Sequence, residues 1–316
     1  MANQNQHTLY LGILLFEDSL KSAAFGIEEA LELTNHICND LGLNTRFEAI
    51  HISEKDVKQS CTVSSPRLDY LIFLPSLVRK SNYSMSSQHK AFVIHQFENG
   101  CTLCSVCAGA FLLAQTGLIR HQTLTTHWGL AAQFKQSFPD IALDEDKILI
   151  SQKQVISVGG LMAWTDLVMH IVAQRTSATV MRMLGKQLVL DTGHREQSFY
   201  RSFQPNKAHG DKLVSACQNY LEVNAPETIR LSDLPLMFNI TQRTLARRFV
   251  RATGFNLRDY LQRVRIQLAC EQLETSNNSI EAIAWESGYR DVKGFRKIFE
   301  NVMGITPSDF RKRFMR

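Results

Sequence analysis

Cys107 stands in the run Ser105-Val106-Cys107-Ala108-Gly109-Ala110, where an apolar segment meets small residues and then a helix-forming stretch. A strand, a cysteine, a sharp turn and a helix make a nucleophile elbow, which presents the side chain at a helix N-terminus. The positive end of such a helix favours the thiolate. Twenty residues on, Leu124-Thr125-Thr126-His127-Trp128 supplies an imidazole, and a thiol beside an imidazole is a pairing for nucleophilic chemistry. Three readings of Cys107 stay open: a small buried residue at a tight turn, a thiol lining a ligand pocket, or a working nucleophile. Cys101, Cys104 and Cys107 also form C-x-x-C-x-x-C. Strand alternation sends Cys104 to the face opposite the other two, and no fourth cysteine is near, so no metal site is expected. Cys38, Cys61, Cys217 and Cys270 read as small hydrophobes.

A second chemistry lies in the last third of the chain. Leu245, Arg247, Phe249, Gly254, Asp259 and Tyr260 are followed fifty residues later by Phe295, Lys297, Phe299, Gly304, Asp309 and Phe310. Apolar, basic, apolar, glycine, acidic and aromatic recur in one order. Each copy follows a short apolar segment and a tight turn: Leu234–Phe238 with Asn239-Ile240, then Ile280–Ser287 with Gly288-Tyr289. These are the parts of two helix-turn-helix motifs in tandem. In the second helix of the first motif, Leu245, Phe249 and Ala252 form an inward stripe, with Arg243 and Arg247 one turn apart on another face. In Val292–Met303 the stripe is Phe295, Ile298, Phe299 and Val302, and Lys293, Arg296 and Lys297 point elsewhere. Gly254 and Gly304 stand where a left-handed residue ends a helix. From residue 209 on there are 17 Lys and Arg against 12 Asp and Glu, whereas residues 1–208 carry 18 of each. The whole excess of charge is therefore local, and 13 of those 17 basic residues are arginine, whose fork reads guanine edges and phosphates.

Thr241–Gly254 (TQRTLARRFVRATG), Tyr260-Leu261-Gln262, Ile283-Ala284 with Gly288-Tyr289, Phe295–Phe299 and Gly304-Ile305-Thr306-Pro307 resemble the AraC/XylS DNA-binding domain, over roughly residues 209–316. The resemblance implies two recognition helices joined by a long helix, here about Leu257–Glu274, on double-stranded DNA. It implies base-facing positions at Gln242, Arg243, Ala246 and Arg247, and at Val292, Lys293, Arg296 and Lys297, with RNA polymerase as a further partner. Two departures are noted. Pro235 replaces the family's usual alanine, so that helix is expected to begin as late as Ser232, because proline is tolerated only in a first turn. Gly294 lies inside the second recognition helix at a cost of about 1 kcal/mol relative to alanine; it either admits close approach to the DNA backbone or simply weakens the helix.

The first two thirds alternate strand and helix signals. Strands are expected at Leu9–Phe16, Thr45–Ile52, Tyr70–Leu74, Thr102–Val106, Ile148–Ser151 and Val155–Val158. Helices are expected at Ala24–Asn39, Ser86–Asn99, Gly109–Thr116 and Leu161–Gln174. That pattern implies a mainly parallel, flavodoxin-like α/β sheet with helices on both faces, its ligand site beyond the carboxyl ends of the strands. Cys107–Leu113, the Thr-Thr-His-Trp segment and Ser157-Val158-Gly159-Gly160 resemble the ThiJ/PfpI branch of the class I glutamine-amidotransferase-like superfamily over about residues 8–175. Together the halves resemble GlxA-type AraC regulators. Enzymes of that branch also use an acid after the first strand; here Ser22 takes its register position, with Glu17 and Asp18 several residues early.

The organisation expected is a sensor domain at 8–190, a polar linker at 191–208 and an all-α DNA-binding domain at 209–316. Candidate pocket residues are Cys107, His127, Trp128, Gly159, Gly160 and Trp164, although a tryptophan on an inward helix face is also ordinary core. Aromatic walls suit cationic or apolar ligands, and the resemblance points to an amine or amino-acid derivative as small-molecule effector. Asp166 is read either as a partner for such a group or as a helix N-terminal acid. No 18-residue apolar run is present, Met1–His7 is polar, and seven cysteines form no framework, so a cytoplasmic protein without membrane segment or signal peptide is expected; the regulator reading adds a homodimer and no cofactor. The reading is a ligand-responsive activator of transcription; the alternative is a cysteine-dependent hydrolase or amidase with a regulatory DNA-binding domain.

Overall fold

The computed structural model describes residues 7–53, 67–78, 83–193 and 195–315. The chain divides into two compact units, Met1–Gln197 and Ser198–Arg316.

The first unit is the α/β layer structure its sequence pattern implies. Its elements are β1 (His7–Leu14), α1 (Lys21–Asp40), β2 (Thr45–Ile52), β3 (Tyr70–Phe73), α2 (Ser87–Glu98), β4 (Thr102–Val106) and α3 (Gly109–Gln115). There follow β5 (Thr123–Leu124), α4 (Ala131–Ser137), β6 (Ala142–Leu143), β7 (Leu149–Gln152), β8 (Val155–Val158), α5 (Trp164–Arg175) and α6 (Ala178–Gln187). Six strands form one sheet in the order β2-β1-β3-β4-β8-β7, parallel throughout except that β7 runs against β8. The order reverses between β1 and β3, so the crevice beyond the carboxyl ends opens there and β4 lies next to it. All four residues of β3 and of β8 are buried, as a strand covered on both faces requires.

Three strands fall on the expected residues, and the differences elsewhere have local causes. β1 stops at Leu14 because Phe16 turns away, its carbonyl accepting the backbone N–H and hydroxyl of Ser19. α5 begins at Trp164 rather than Leu161, since Gly160 is left-handed (φ 98°) and its carbonyl closes a turn onto the Ala163 N–H. Helix α6 was not anticipated, although Ser177 caps it by accepting from the Val180 N–H at 3.3 Å. The short β5–β6 pair and α4 were also unmarked by periodicity.

The second unit is all-α: α7 (Lys212–Val223), α8 (Leu234–Met237), α9 (Gln242–Thr253), α10 (Leu257–Thr275), α11 (Ile280–Glu286), α12 (Val292–Met303) and α13 (Pro307–Phe314). The repeat is now explained residue by residue. Thr241 and Asp291 cap α9 and α12, and Gly254 and Gly304 end them with φ of 78° and 76°. Asn256 and Thr306 cap the next helices, and the recurring acids Asp259 and Asp309 hold those caps through 2.7 and 2.6 Å side-chain bonds. Leu245 with Phe249, and Phe295 with Phe299, point inward, where Tyr260 and Phe310 meet Phe249 and Phe299 edge-on. Two hydrophobic clusters result, one per copy. Pro235 lies in the first turn of α8, after a 3₁₀ turn at Leu231–Asp233, so it breaks no helical bond. Gly294 is the third residue of α12, in its first turn, where an added Cβ would sit 2.8 Å from the capping carboxylate of Asp291. The N–H of Gly294 donates to that carboxylate at 2.9 Å.

Asp211 caps α7 and also receives Arg248 of α9 in a two-pronged pair, at 2.9 and 2.6 Å. The guanidinium bond, aided by backbone N–H donors, holds the Asp211 carboxyl down at about 2. Its stabilising effect is therefore complete above the ordinary value of 3.8 and fades as pH falls from there through about 2. Replacing Asp211 with Asn should lower the unfolding temperature at neutral pH. The difference from wild type should close on acidification across that window, as circular dichroism melts at several pH values would register.

Candidate functional site

The elbow is built from backbone. Cys107 takes a left-handed conformation (φ 53°), uncommon for a residue with a side chain and worth of order 1–3 kcal/mol of strain. Two hydrogen bonds hold it, and a glycine makes room beside it. Its N–H continues the ladder onto the Val158 carbonyl at 2.8 Å, and its carbonyl accepts the Thr126 hydroxyl at 2.6 Å. Gly109 lets α3 start against the Phe73 carbonyl, a space a Cβ would fill. The Cys107 side chain is buried, with 4% of the residue exposed. Cys101 and Cys104 are buried as well; burial pushes the Cys101 thiol up to about 12 and that of Cys104 well above its ordinary range.

Thr126 carries the next residues into place. Thr125 donates its N–H to Ser157 and its hydroxyl to the Lys147 carbonyl, at 2.9 and 2.8 Å. His127 accepts the Gly129 N–H on Nδ1 at 3.0 Å, which puts the proton of the neutral ring on Nε2. The His127 and Trp128 rings lie 5.1 Å apart. Cys107, His127, Trp128 and Gly159 are thus gathered around Thr125 and Thr126. Gly160 forms the turn beyond β8. Trp164 goes elsewhere, its ring lying against Gly26 of α1 and its Nε1 buried with no hydrogen-bond partner among the described residues. Asp166 is already engaged: Arg195 meets both of its oxygens, at 3.0 and 2.5 Å. Ser22 and Glu17 are exposed, and Asp18 is part-buried.

The residue at the centre of this region was missed. Gln197 falls in the stretch expected to be a linker, yet it is 3% exposed. Its carboxamide nitrogen reaches Thr125 Oγ1, the Thr126 carbonyl and the Lys147 carbonyl, and its oxygen accepts the Trp128 N–H. An alanine at 159 would overlap that carboxamide. Glu196 pairs with Lys147 at 2.8 Å beside it. The polar, aperiodic sequence of 191–208 had suggested an unattached connection; instead Arg195–Gln197 are docked through polar bonds, which leave no periodic trace. Just beyond, Phe203 packs against Phe255 and Tyr260 in the second unit.

In the second unit Gln242, Arg243, Ala246 and Arg247 are exposed on α9, and Lys293, Arg296 and Lys297 on α12, with Val292 partly covered. Among the described residues Arg243, Arg247, Lys293 and Lys297 form no ion pair, whereas Arg296 is held by Glu281 at 2.9 Å. One further arginine joins the two halves. Arg265 of α10 donates to the Ala225 and Glu227 carbonyls, both at 2.8 Å, and lies over the Tyr289 ring. Arg290 adds a bond to Thr228. These two residues fix the turn of the second motif to the loop that precedes the first.

A DJ-1/PfpI family model matches residues 69–174, and a helix-turn-helix domain model matches residues 236–313. The chain is 22% identical to the HTH-type transcriptional regulator GbdR of Pseudomonas aeruginosa over 321 residues, covering 98% of this chain and 86% of that one. It is 22% identical to the HTH-type transcriptional regulator GlxA of Rhizobium meliloti over 223 residues, 68% of this chain and 66% of the other. The crystal structure of Drosophila melanogaster DJ-1beta superposes on 58% of this chain and 99% of its own, at 15% identity and a TM-score of 0.46.

Replacing Gly159 with Ala should expel the Gln197 carboxamide while leaving the sheet intact. Hydrogen–deuterium exchange should then speed up at Gln197, whose N–H donates to the Asp146 carbonyl, and at Trp128. Unchanged protection at both would mean that Gln197 is not held through its side chain.

Proposed function

The chain joins a DJ-1/PfpI family domain to an AraC-type helix-turn-helix domain, and we propose that it acts as a ligand-responsive activator of transcription. The duplicated pair of exposed basic helices carries this reading. α9 and α12 each expose cations on a face opposite their aromatic stripe, and caps, terminal glycines and the Arg265 bridge hold that face rigid. Two such helices on one rigid connector suit successive turns of a duplex, roughly 34 Å apart. The first unit is the sensor for a small amine or amino-acid derivative, with Cys107, His127, Trp128 and Gly159 about its pocket. A homodimer that engages RNA polymerase in the cytoplasm completes the proposal.

The roles of the two helices differ. Arg243 and Arg247 read base edges, each good bidentate arginine contributing about 1–3 kcal/mol of discrimination. Lys293 and Lys297 are point charges and bind phosphates, giving salt-dependent affinity. Arg247→Ala should relax sequence preference in the half-site under α9. Lys297→Ala should weaken specific and non-specific binding alike and flatten the salt slope. Competition binding over randomised half-sites at two salt concentrations measures both, and reversed outcomes would overturn the assignment.

The hydrolase alternative requires Cys107 to turn over substrate without an acid in the expected register. Purified protein should hydrolyse amides, esters and ketoaldehydes no faster than a Cys107→Ala variant, and that variant should still bind DNA. Clear Cys107-dependent turnover would favour the enzyme reading.

A further inference from the structure

We infer that the recess holding the Gln197 carboxamide is a binding site for a primary ammonium group, and that Gln197 is its resident occupant, displaced when ligand enters. The inference rests on the sensor reading and gives that pocket a ligand chemistry. Three oxygens converge on Gln197 Nε2: Thr125 Oγ1 at 3.0 Å and the Thr126 and Lys147 carbonyls at 2.9 Å each. The Thr125 hydroxyl spends its proton on the Lys147 carbonyl, so it can only accept from the occupant. A carboxamide nitrogen has two hydrogens for these three acceptors, whereas an ammonium has one for each. The recess is therefore better matched to a group the chain itself does not place there.

The surroundings agree in charge. Lys147, whose carbonyl lines the recess, has its pKa raised chiefly by its bonded partner Glu196 and further by Asp144 and Asp146, so three carboxylates stand near that one cation. A negative field around a ring of oxygens lowers the cost of bringing a cation out of water. The Trp128 N–H, which now donates to Gln197 Oε1 at 3.2 Å, supplies a donor for an acceptor a few bonds from the ammonium. An amino alcohol or amino acid has both groups. A quaternary ammonium has no N–H and is excluded from this recess whatever the aromatic rings nearby favour. Displacement also has a destination: Gln197 is the last residue of the first unit, and its backbone N–H is bonded to the Asp146 carbonyl at 2.7 Å, so a ligand that evicts the side chain acts on the segment leading to the second unit.

Full-length wild type and Gln197→Ala are to be melted with ethanolamine, choline or propionamide at equal concentration and ionic strength. A resident competitor lowers apparent affinity by the fraction of time it occupies the site. Ethanolamine should therefore bind Gln197→Ala about tenfold more tightly than wild type, read as a larger rise in unfolding temperature. Propionamide should do less and choline nothing. Thr125→Val, which removes one of the three acceptors, should abolish the preference for ethanolamine over propionamide. If Gln197→Ala does not fold, Gln197→Met keeps the side-chain volume and is read in the same way. Equal shifts in wild type and the Gln197 variant, or a choline effect matching that of ethanolamine, would overturn the inference. DNA binding by the same proteins is measured separately: if it persists without any ethanolamine response, the pocket assignment alone fails, and if wild type binds no DNA, the regulator reading fails.

Discussion

The carbonyl of Cys107 is the point from which the first unit's site is laid out. A left-handed residue at the end of β4 directs that oxygen out of the sheet, where the Thr126 hydroxyl captures it. Fixing Thr126 fixes Thr125 on Ser157 and Lys147, and Trp128 follows two residues on. Those residues, with the Lys147 carbonyl, then define the recess that Gln197 fills. The elbow's strained backbone thus organises a polar cradle more visibly than it exposes a nucleophile, since the thiol itself is buried. Nucleophile elbows pass for catalytic signatures, yet the same turn is an efficient way to anchor a loop against a sheet edge, because a single peptide group faces outward in a known direction.

Much of this was legible in the residues. The strands of the main sheet announced themselves as short apolar or alternating segments, and Thr45–Ile52, Thr102–Val106 and Val155–Val158 fall on the expected residues. The tandem motif was legible because each copy carries its own punctuation, cap and glycine included. Gln197 was not legible. Its burial depends on oxygens contributed by residues fifty to seventy positions away, and a lone glutamine in a polar stretch gives no periodic signal. Asp166 shows the converse. Its sequence position suited a ligand partner, but Arg195, from the same unpatterned stretch, occupies it. The part Gly294 plays in the cap of its helix, donating its N–H to Asp291, was likewise not legible without that side chain in view.

The two copies of the repeat share a plan, and one of their differences falls at the last aromatic position. Tyr260 adds a hydroxyl where Phe310 has none, and that hydroxyl donates to Glu222 and accepts from Gln218 of α7. Burial and the neighbouring carboxylate push its pKa upward, so it stays a donor across the physiological range. The first copy is in this way bound to the helix that opens the unit, with Arg248 of α9 and Asp211 making a second tie to the same α7. The second copy relies instead on its phenylalanine cluster and on the bridge from Arg265.

That bridge has a consequence for avidity. Two weak readers on a slack tether gain affinity only through a modest effective concentration, and they tolerate variable spacing between their targets. Here Arg265 and Arg290 bind the second motif's turn to the loop before the first, and α10 runs unbroken between the copies. Under the proposed regulator reading the pair acts as a caliper of fixed opening: engagement of one jaw favours a target for the other in the correct phase over one displaced by half a turn.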